Sequence, residues 1–228
     1  MEPYRFDSRE AASLAAAERL VAALNRRIEA QQKASIVVSG GSTPHDCLAK
    51  LAGMDVDWAS VHVALSDERY VSATHDDSNE RMVRETLLVG QAAEASLLPM
   101  YKEGVDVSDR AVEIDADIRS LPFPFSAVLL GMGTDGHFAS LFPDTEGLEQ
   151  GLDPDSGVLC MPVSTVASPH PRLSLTMAAL SRTDEIVLLI FGEEKREVLN
   201  KALESDGPSP IARLLRQNRA PIHVIWAP

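Results

Sequence analysis

The sequence predicts a single α/β domain over residues 1–228, a mostly parallel β-sheet with helices on both faces. Three observations carry this. Strand-like and helix-like segments alternate from end to end, the pattern of a parallel sheet. Four polar segments follow four apolar strands directly, as they do where parallel strands deliver their loops to one rim. The length, 228 residues, suits one domain.

The elements follow in order. Residues 8–30 read as a long Ala-rich helix, and 36–38 as a short buried strand. Residues 44–52 look helical, with Thr43 as N-cap and Pro44 at the first helical position. A second strand is expected at 61–65. A helix is expected at 78–88, where Asp77 and Glu80 resemble a capping box. Residues 108–120 are amphipathic and helical. Residues 127–130 form a buried strand after the turn-rich Pro122-Phe123-Pro124. The stretch 147–171, rich in Pro, Gly and Ser, is expected to be a long excursion near the site, with one strand at 159–163. Residues 173–180 read as a helix, 186–191 as a strong strand, 193–203 as a helix and 222–226 as a closing strand.

Composition narrows the function. Hydrophobic residues are 45% and charged residues 24%, ordinary for a globular chain, so general disorder is excluded. The net charge is −13, which disfavours nucleic acid or an anionic membrane as partner, since both need a basic face. An acidic protein that handles an anion must therefore gather its few useful cations in one place. Cys47 and Cys160 have no CxxC spacing and read as buried thiols, which suits a reducing cytoplasm. Residues 1–10 carry no apolar signal core. The longest apolar run, 186–191, is far short of the roughly 18 residues a membrane helix needs. A monomer or small homo-oligomer in the cytoplasm is expected.

The chemistry should sit on the rim. Ser39-Gly40-Gly41-Ser42-Thr43-Pro44 follows the first strand and opens a helix, whose free N–H groups suit a phosphate. The same residues also suit an ordinary capped strand-to-helix turn. They form neither a P-loop nor a GxGxxG site. Asp67-Glu68-Arg69 follows the second strand. It is either a solvated turn or an anion site in which Arg69 offers a bidentate fork. Gly131-Met132-Gly133-Thr134-Asp135-Gly136-His137 follows the third. A histidine beside a carboxylate on a tight glycine loop is a candidate general base, so His137 and Asp135 lead the set. Arg172 and Lys195 are surface charges when taken alone. As members of the rim they answer the charge puzzle. No GxSxG elbow is present, which disfavours a serine esterase. The six histidines show no metal-ligand spacing, so neither metal nor cofactor is expected.

These stretches together resemble the 6-phosphogluconolactonase family, in the superfamily that also holds glucosamine-6-phosphate deaminase. The matching runs are 39–44, 67–71, 77–79, 129–143, 171–176 and 191–195, in the family's order. Thr134 and Phe138 depart from the usual residues, but neither position needs to donate a proton. The deaminases look like Asp-Glu-Tyr where this chain has Asp67-Glu68-Arg69. They also carry a glutamate where this chain has Phe142 in Leu141-Phe142-Pro143. A phenylalanine transfers no proton, so the lactonase branch is favoured. The resemblance implies a Rossmann-like fold and hydrolysis of 6-phospho-D-glucono-1,5-lactone to 6-phospho-D-gluconate, a step of the oxidative pentose phosphate pathway. It implies His137 activating water, helped by Asp135, and a phosphorylated sugar lactone held by Gly40, Gly41, Ser42, Thr43, Asp67, Arg69, Arg172 and Lys195. The alternatives are a deaminase-like enzyme and a non-catalytic sugar-phosphate sensor.

Overall fold

The computed structural model describes residues 3–166, 168–204, 207 and 209–228; Met1, Glu2 and Ala167, which fall in stretches read above, lie outside them. In chain order the elements are β1 (Tyr4–Arg5), α1 (Arg9–Gln31), β2 (Ala34–Val38), α2 (Ser42–Ala52), β3 (Val61–Leu65), β4 (Asp67–Arg69), α3 (Asn79–Thr86) and β5 (Ser96–Leu97). Then come α4 (Val107–Ser120), β6 (Ala127–Leu130), α5 (Leu148–Leu152), β7 (Cys160–Val163), β8 (Arg172–Leu175), α6 (Met177–Leu180), β9 (Ile186–Phe191), α7 (Glu193–Glu204), α8 (Pro210–Arg216) and β10 (Ile222–Ala227).

Seven strands form a parallel sheet in the order β1-β10-β9-β6-β2-β3-β5. The chain runs outward from β2 through β3 to β5. It then returns to the other side of β2 and runs through β6, β9 and β10. The reversal lies between β2 and β6, and a crevice opens beyond the carboxyl ends of such a pair. Every residue of β2 and β6 is buried, as in strands covered on both faces. Helix α1 packs on β2, β6, β9 and β10 through Ala12, Ala16, Ala17, Ala23, Leu20 and Leu24. The alanines bring the helix close to the sheet. Each leucine contributes roughly 1.5–3 kcal/mol by leaving water. Ser8 caps α1, accepting from the Ala11 N–H at 3.1 Å.

Four expectations need correction. Helix α2 starts at Ser42, not Pro44, and Thr43 is not its cap; Gly41 takes that place. The φ of Gly41 is 89°, a left-handed value that turns the chain straight into the helix. Ser78, not Asp77, caps α3 by accepting from the Arg81 N–H at 3.2 Å. Residues 173–180 are not one helix: Arg172 opens strand β8, and α6 is a single turn after it. Leucine favours helices when alone, but Leu173 and Leu175 are held extended between two strands, and packing outweighs propensity. Lastly, the long excursion and Asp67–Arg69 build a second, antiparallel sheet, β4-β8-β7. Charged Asp67-Glu68-Arg69 is thus a strand rather than a solvated turn, with Glu68 wholly buried.

Candidate functional site

A cleft of about 270 Å³ lies at the reversal point, lined by residues following β2, β3, β6 and β9 together with Arg172 of β8. Its wall after β6 is a tight loop. The Gly133 N–H donates to the His137 carbonyl at 2.9 Å, and the Gly136 N–H donates to the Gly133 carbonyl at 3.1 Å. Gly136 has a φ of 82°, which lets the chain double back. The loop brings Asp135 Oδ1 within 2.6 Å of His137 Nδ1, and the same oxygen accepts the His137 N–H at 3.1 Å. With Nδ1–H facing a carboxylate, Nε2 keeps the free lone pair that a base requires. The imidazole also leans on Phe142, with ring centroids 4.2 Å apart at 38°.

The cations line the same cleft. Arg69 and Arg172 are direct partners across the β4–β8 ladder, so their side chains share one sheet face. Two like charges held there repel unless an anion is present. Arg172 rests over Phe142 at 5.3 Å and donates to Ser140 Oγ at 3.2 Å. Its burial, more than the nearby Arg69, pulls its pKa below the ordinary value, while Asp67 pushes it back up. The Nε atoms of both arginines are buried and make no hydrogen bond among the described residues. Lys195, in the first turn of α7, is half-buried. Burial lowers its pKa, which Glu194 partly restores. It makes no hydrogen bond or ion pair among the described residues. Gly40, Gly41, Ser42 and Thr43 bring the start of α2 to the same cleft. A Cβ on Gly40 would lie 1.9 Å from Asn79 Oδ1, so only glycine fits against that amide.

Beneath the cleft a buried polar network joins the strand ends. Asp67 accepts from Ser66 Oγ at 2.8 Å and from Ser140 Oγ at 2.6 Å, with Arg172 Nη1 3.7 Å away. Ser39 and Ser66 hydroxyls lie 2.9 Å apart. Glu68 accepts from the N–H groups of Asn79 and Glu80 at 2.7 Å each, from that of Arg69 at 2.8 Å and from Ser78 Oγ at 3.0 Å. Burial pushes its pKa up to about 7 against these donors, which favour the carboxylate. Glu68 thus ties α3 to β4 and fixes the backbone that carries Arg69.

The fold brings together every residue the sequence singled out. His137, Gly40, Gly41, Ser42, Thr43, Asp67, Arg69, Arg172 and Lys195 line the cleft, and Asp135 stands behind His137. Asp67 differs in character, because its two oxygens are taken by serine hydroxyls. Sequence reasoning placed Ser39 and Ser66 in rim segments but gave neither them nor Ser140 and Asn79 a role in the site. Short polar residues next to strand ends were the available signal. The histidines also hold a surprise: His170 Nε2 lies 3.1 Å from Asp77 Oδ2, with His75 alongside.

Comparison with known proteins shows the family of this chain. The sequence model of the family described as glucosamine-6-phosphate isomerases/6-phosphogluconolactonase matches residues 7–226. A protein of Caulobacter vibrioides named 6-phosphogluconolactonase is 45% identical over 97% of this chain and 95% of its own. One of Mesorhizobium japonicum with the same name is 40% identical over 98% and 94%. The crystal structure of a 6-phosphogluconolactonase from Shewanella baltica superposes with a TM-score of 0.94 at 36% identity, covering 100% of this chain and 98% of that one. A monomeric glucosamine-6-phosphate deaminase shares the fold alone, with a TM-score of 0.75 at 17% identity over 98% and 97% of the two chains.

Proposed function

This chain belongs to the glucosamine-6-phosphate isomerase/6-phosphogluconolactonase family, and we propose that it hydrolyses 6-phospho-D-glucono-1,5-lactone to 6-phospho-D-gluconate with His137 as the base. One observation carries the role of His137: its Nδ1 is engaged by Asp135 at 2.6 Å, inside a cleft whose other charged groups are chiefly cations. Nε2 takes a proton from water, and the oxygen adds to the lactone carbonyl carbon. Charge passes to the carbonyl oxygen, where the cations steady it. As the carbonyl re-forms, the ring C–O bond breaks. The imidazolium then returns its proton to the departing ring oxygen. Asp135 stabilises the charged imidazole meanwhile.

Arg69, Arg172, Lys195 and the first turn of α2 hold the phosphate and the developing oxyanion between them. Phe142, packed on His137 and beneath Arg172, has no proton to exchange, which supports water activation over amino-sugar ring opening. No step requires a metal or cofactor. No helix among the described residues is long and apolar enough to cross a membrane. The net charge of −13 supports a partner list without nucleic acid. Buried, unpaired Cys47 and Cys160 support a reducing compartment such as the cytoplasm.

The test is hydrolysis of freshly made lactone, followed by proton release and corrected for spontaneous opening. His137→Ala is expected to lower kcat by about 10²–10⁴-fold, the usual worth of a positioned base. Near-normal turnover removes His137 from that role. A protein that binds 6-phosphogluconate without turnover would instead be a sensor.

A further inference from the structure

We propose that His75, Asp77 and His170 form a site for one divalent transition-metal ion of the zinc class at the rim of the cleft. The three residues are the one group of metal-ligating side chains among the described residues in which each offers an atom within 4.8 Å of the others. Asp77 Oδ2 is central: it lies 3.1 Å from His170 Nε2 and 3.9 Å from His75 Nδ1. A tetrahedral ion with bonds of about 2.0–2.1 Å spaces its ligands roughly 3.3 Å apart, so both separations need only small side-chain adjustments. The two imidazoles meet edge to face at 5.3 Å, which brings both nitrogens to the carboxylate. Two histidines and one carboxylate suit zinc, and water fills the fourth position.

The donors are available. Asp77 and His75 are exposed and His170 is half-buried, so an ion can enter without unfolding. His75 Nδ1 at present accepts the Asp77 N–H at 3.1 Å. An ion would replace that partner at a surface where water can take over the amide. The neighbouring acid, Asp76, is engaged with Arg81 instead.

The position gives the ion consequences. The backbone carbonyl of Asp77 accepts from Arg69 Nη1 at 2.8 Å. His170 stands two residues before Arg172, and the carbonyl of Pro171 between them accepts the Tyr70 N–H at 2.8 Å. A bound ion would therefore pin together the two chain segments that present the paired arginines. It touches neither His137 nor Asp135, so it belongs to the architecture of the rim and not to proton transfer.

The experiment uses metal-free protein titrated with zinc chloride against a chromophoric chelator, with cobalt(II) absorption as a check on coordination. The wild type is expected to bind one equivalent, and its thermal midpoint to rise with added zinc. His75→Ala and His170→Ala should each weaken binding by at least about tenfold and abolish that rise, since a lost ligand costs no less than the roughly 10–100-fold of a lost outer-shell partner. His137→Ala should bind as the wild type does. Wild-type protein that binds no zinc, unchanged affinity in both His75→Ala and His170→Ala, or loss confined to His137→Ala would each overturn the site. Thermal midpoints of the metal-free variants separate lost binding from lost folding.

Discussion

Gly133 offers a sharp test of the base, because one added carbon reaches it. The N–H and carbonyl of Gly133 both hold loop hydrogen bonds, at 2.9 and 3.1 Å, and alanine keeps them. The backbone at Gly133 is not left-handed, so alanine brings no torsional strain. The cost comes from the new Cβ. It would lie 2.3 Å from Cε1 and Nδ1 of His137 and 2.7 Å from Asp135 Oδ1. Ordinary contact begins near 3.4 Å, so the imidazole must retreat by about 1 Å. That shift breaks the 2.6 Å bond orienting the ring. A misplacement of about 1 Å costs on the order of 10²-fold in rate. Gly133→Ala should therefore lower kcat by about 100-fold, or roughly 2.7 kcal/mol of barrier. KM should stay within about threefold, since the cations are untouched. The assay is proton release from fresh lactone over a range of concentrations, beside thermal unfolding of the same samples. A well-folded variant with kcat close to wild type would refute the placement of His137 as the base.

Further predictions concern charge. Arg172→Ala and Lys195→Ala should each raise KM by about 10–100-fold, the worth of one charge-assisted hydrogen bond. If steady-state kinetics show KM unchanged in both, the phosphate site lies elsewhere. Glu68 has its folded pKa raised from 4.5 to about 7 by burial. The folded state then holds the extra proton between those values, so this group's stabilising contribution is full below about 4.5 and is lost as pH rises through about 7. The loss across that range is on the order of 3 kcal/mol. Urea unfolding from pH 5 to 8 should show this downward slope in the wild type and a flatter one in Glu68→Gln; identical slopes would remove Glu68 as its source.

Much of the site was legible because it follows from strand ends. Apolar runs at β2, β3, β6 and β9 marked the parallel sheet, and polar residues just past them had to meet on its rim. What stayed hidden depends on contacts distant in sequence. Asp67-Glu68-Arg69 looks like a solvated turn until Ser140 from a loop and Asn79 and Glu80 at the start of α3 close over its carboxylates. Residues 173–180 looked helical because Leu173 and Leu175 favour helices, yet these pack between β4 and β7. His75 and His170 have no telling spacing, since only the pairing of β4 with β8 brings their segments together. Thr43 was read as the cap of α2, but the φ of 89° at Gly41 starts the helix two residues earlier.

The charge puzzle yields one more prediction. The chain carries −13, yet the acids around the cleft are already committed. Asp67 is held by two serine hydroxyls, Glu68 by four donors and Asp135 by the imidazole. Arg69, Arg172 and Lys195 therefore face the cleft with positive charge that no neighbouring acid fully answers. Such cations bind a phosphate remote from the carbonyl, and that binding positions the reacting carbon at Nε2. Glucono-1,5-lactone without phosphate should lose both effects. Two charge-assisted hydrogen bonds at about 1.5–3 kcal/mol each predict a fall in kcat/KM of roughly 10²–10⁴-fold. Adding inorganic phosphate should restore part of it by filling the vacant anion position. Comparable kcat/KM for the two lactones would mean that the paired arginines serve the fold alone, and the account of how an acidic protein seats an anion would fail.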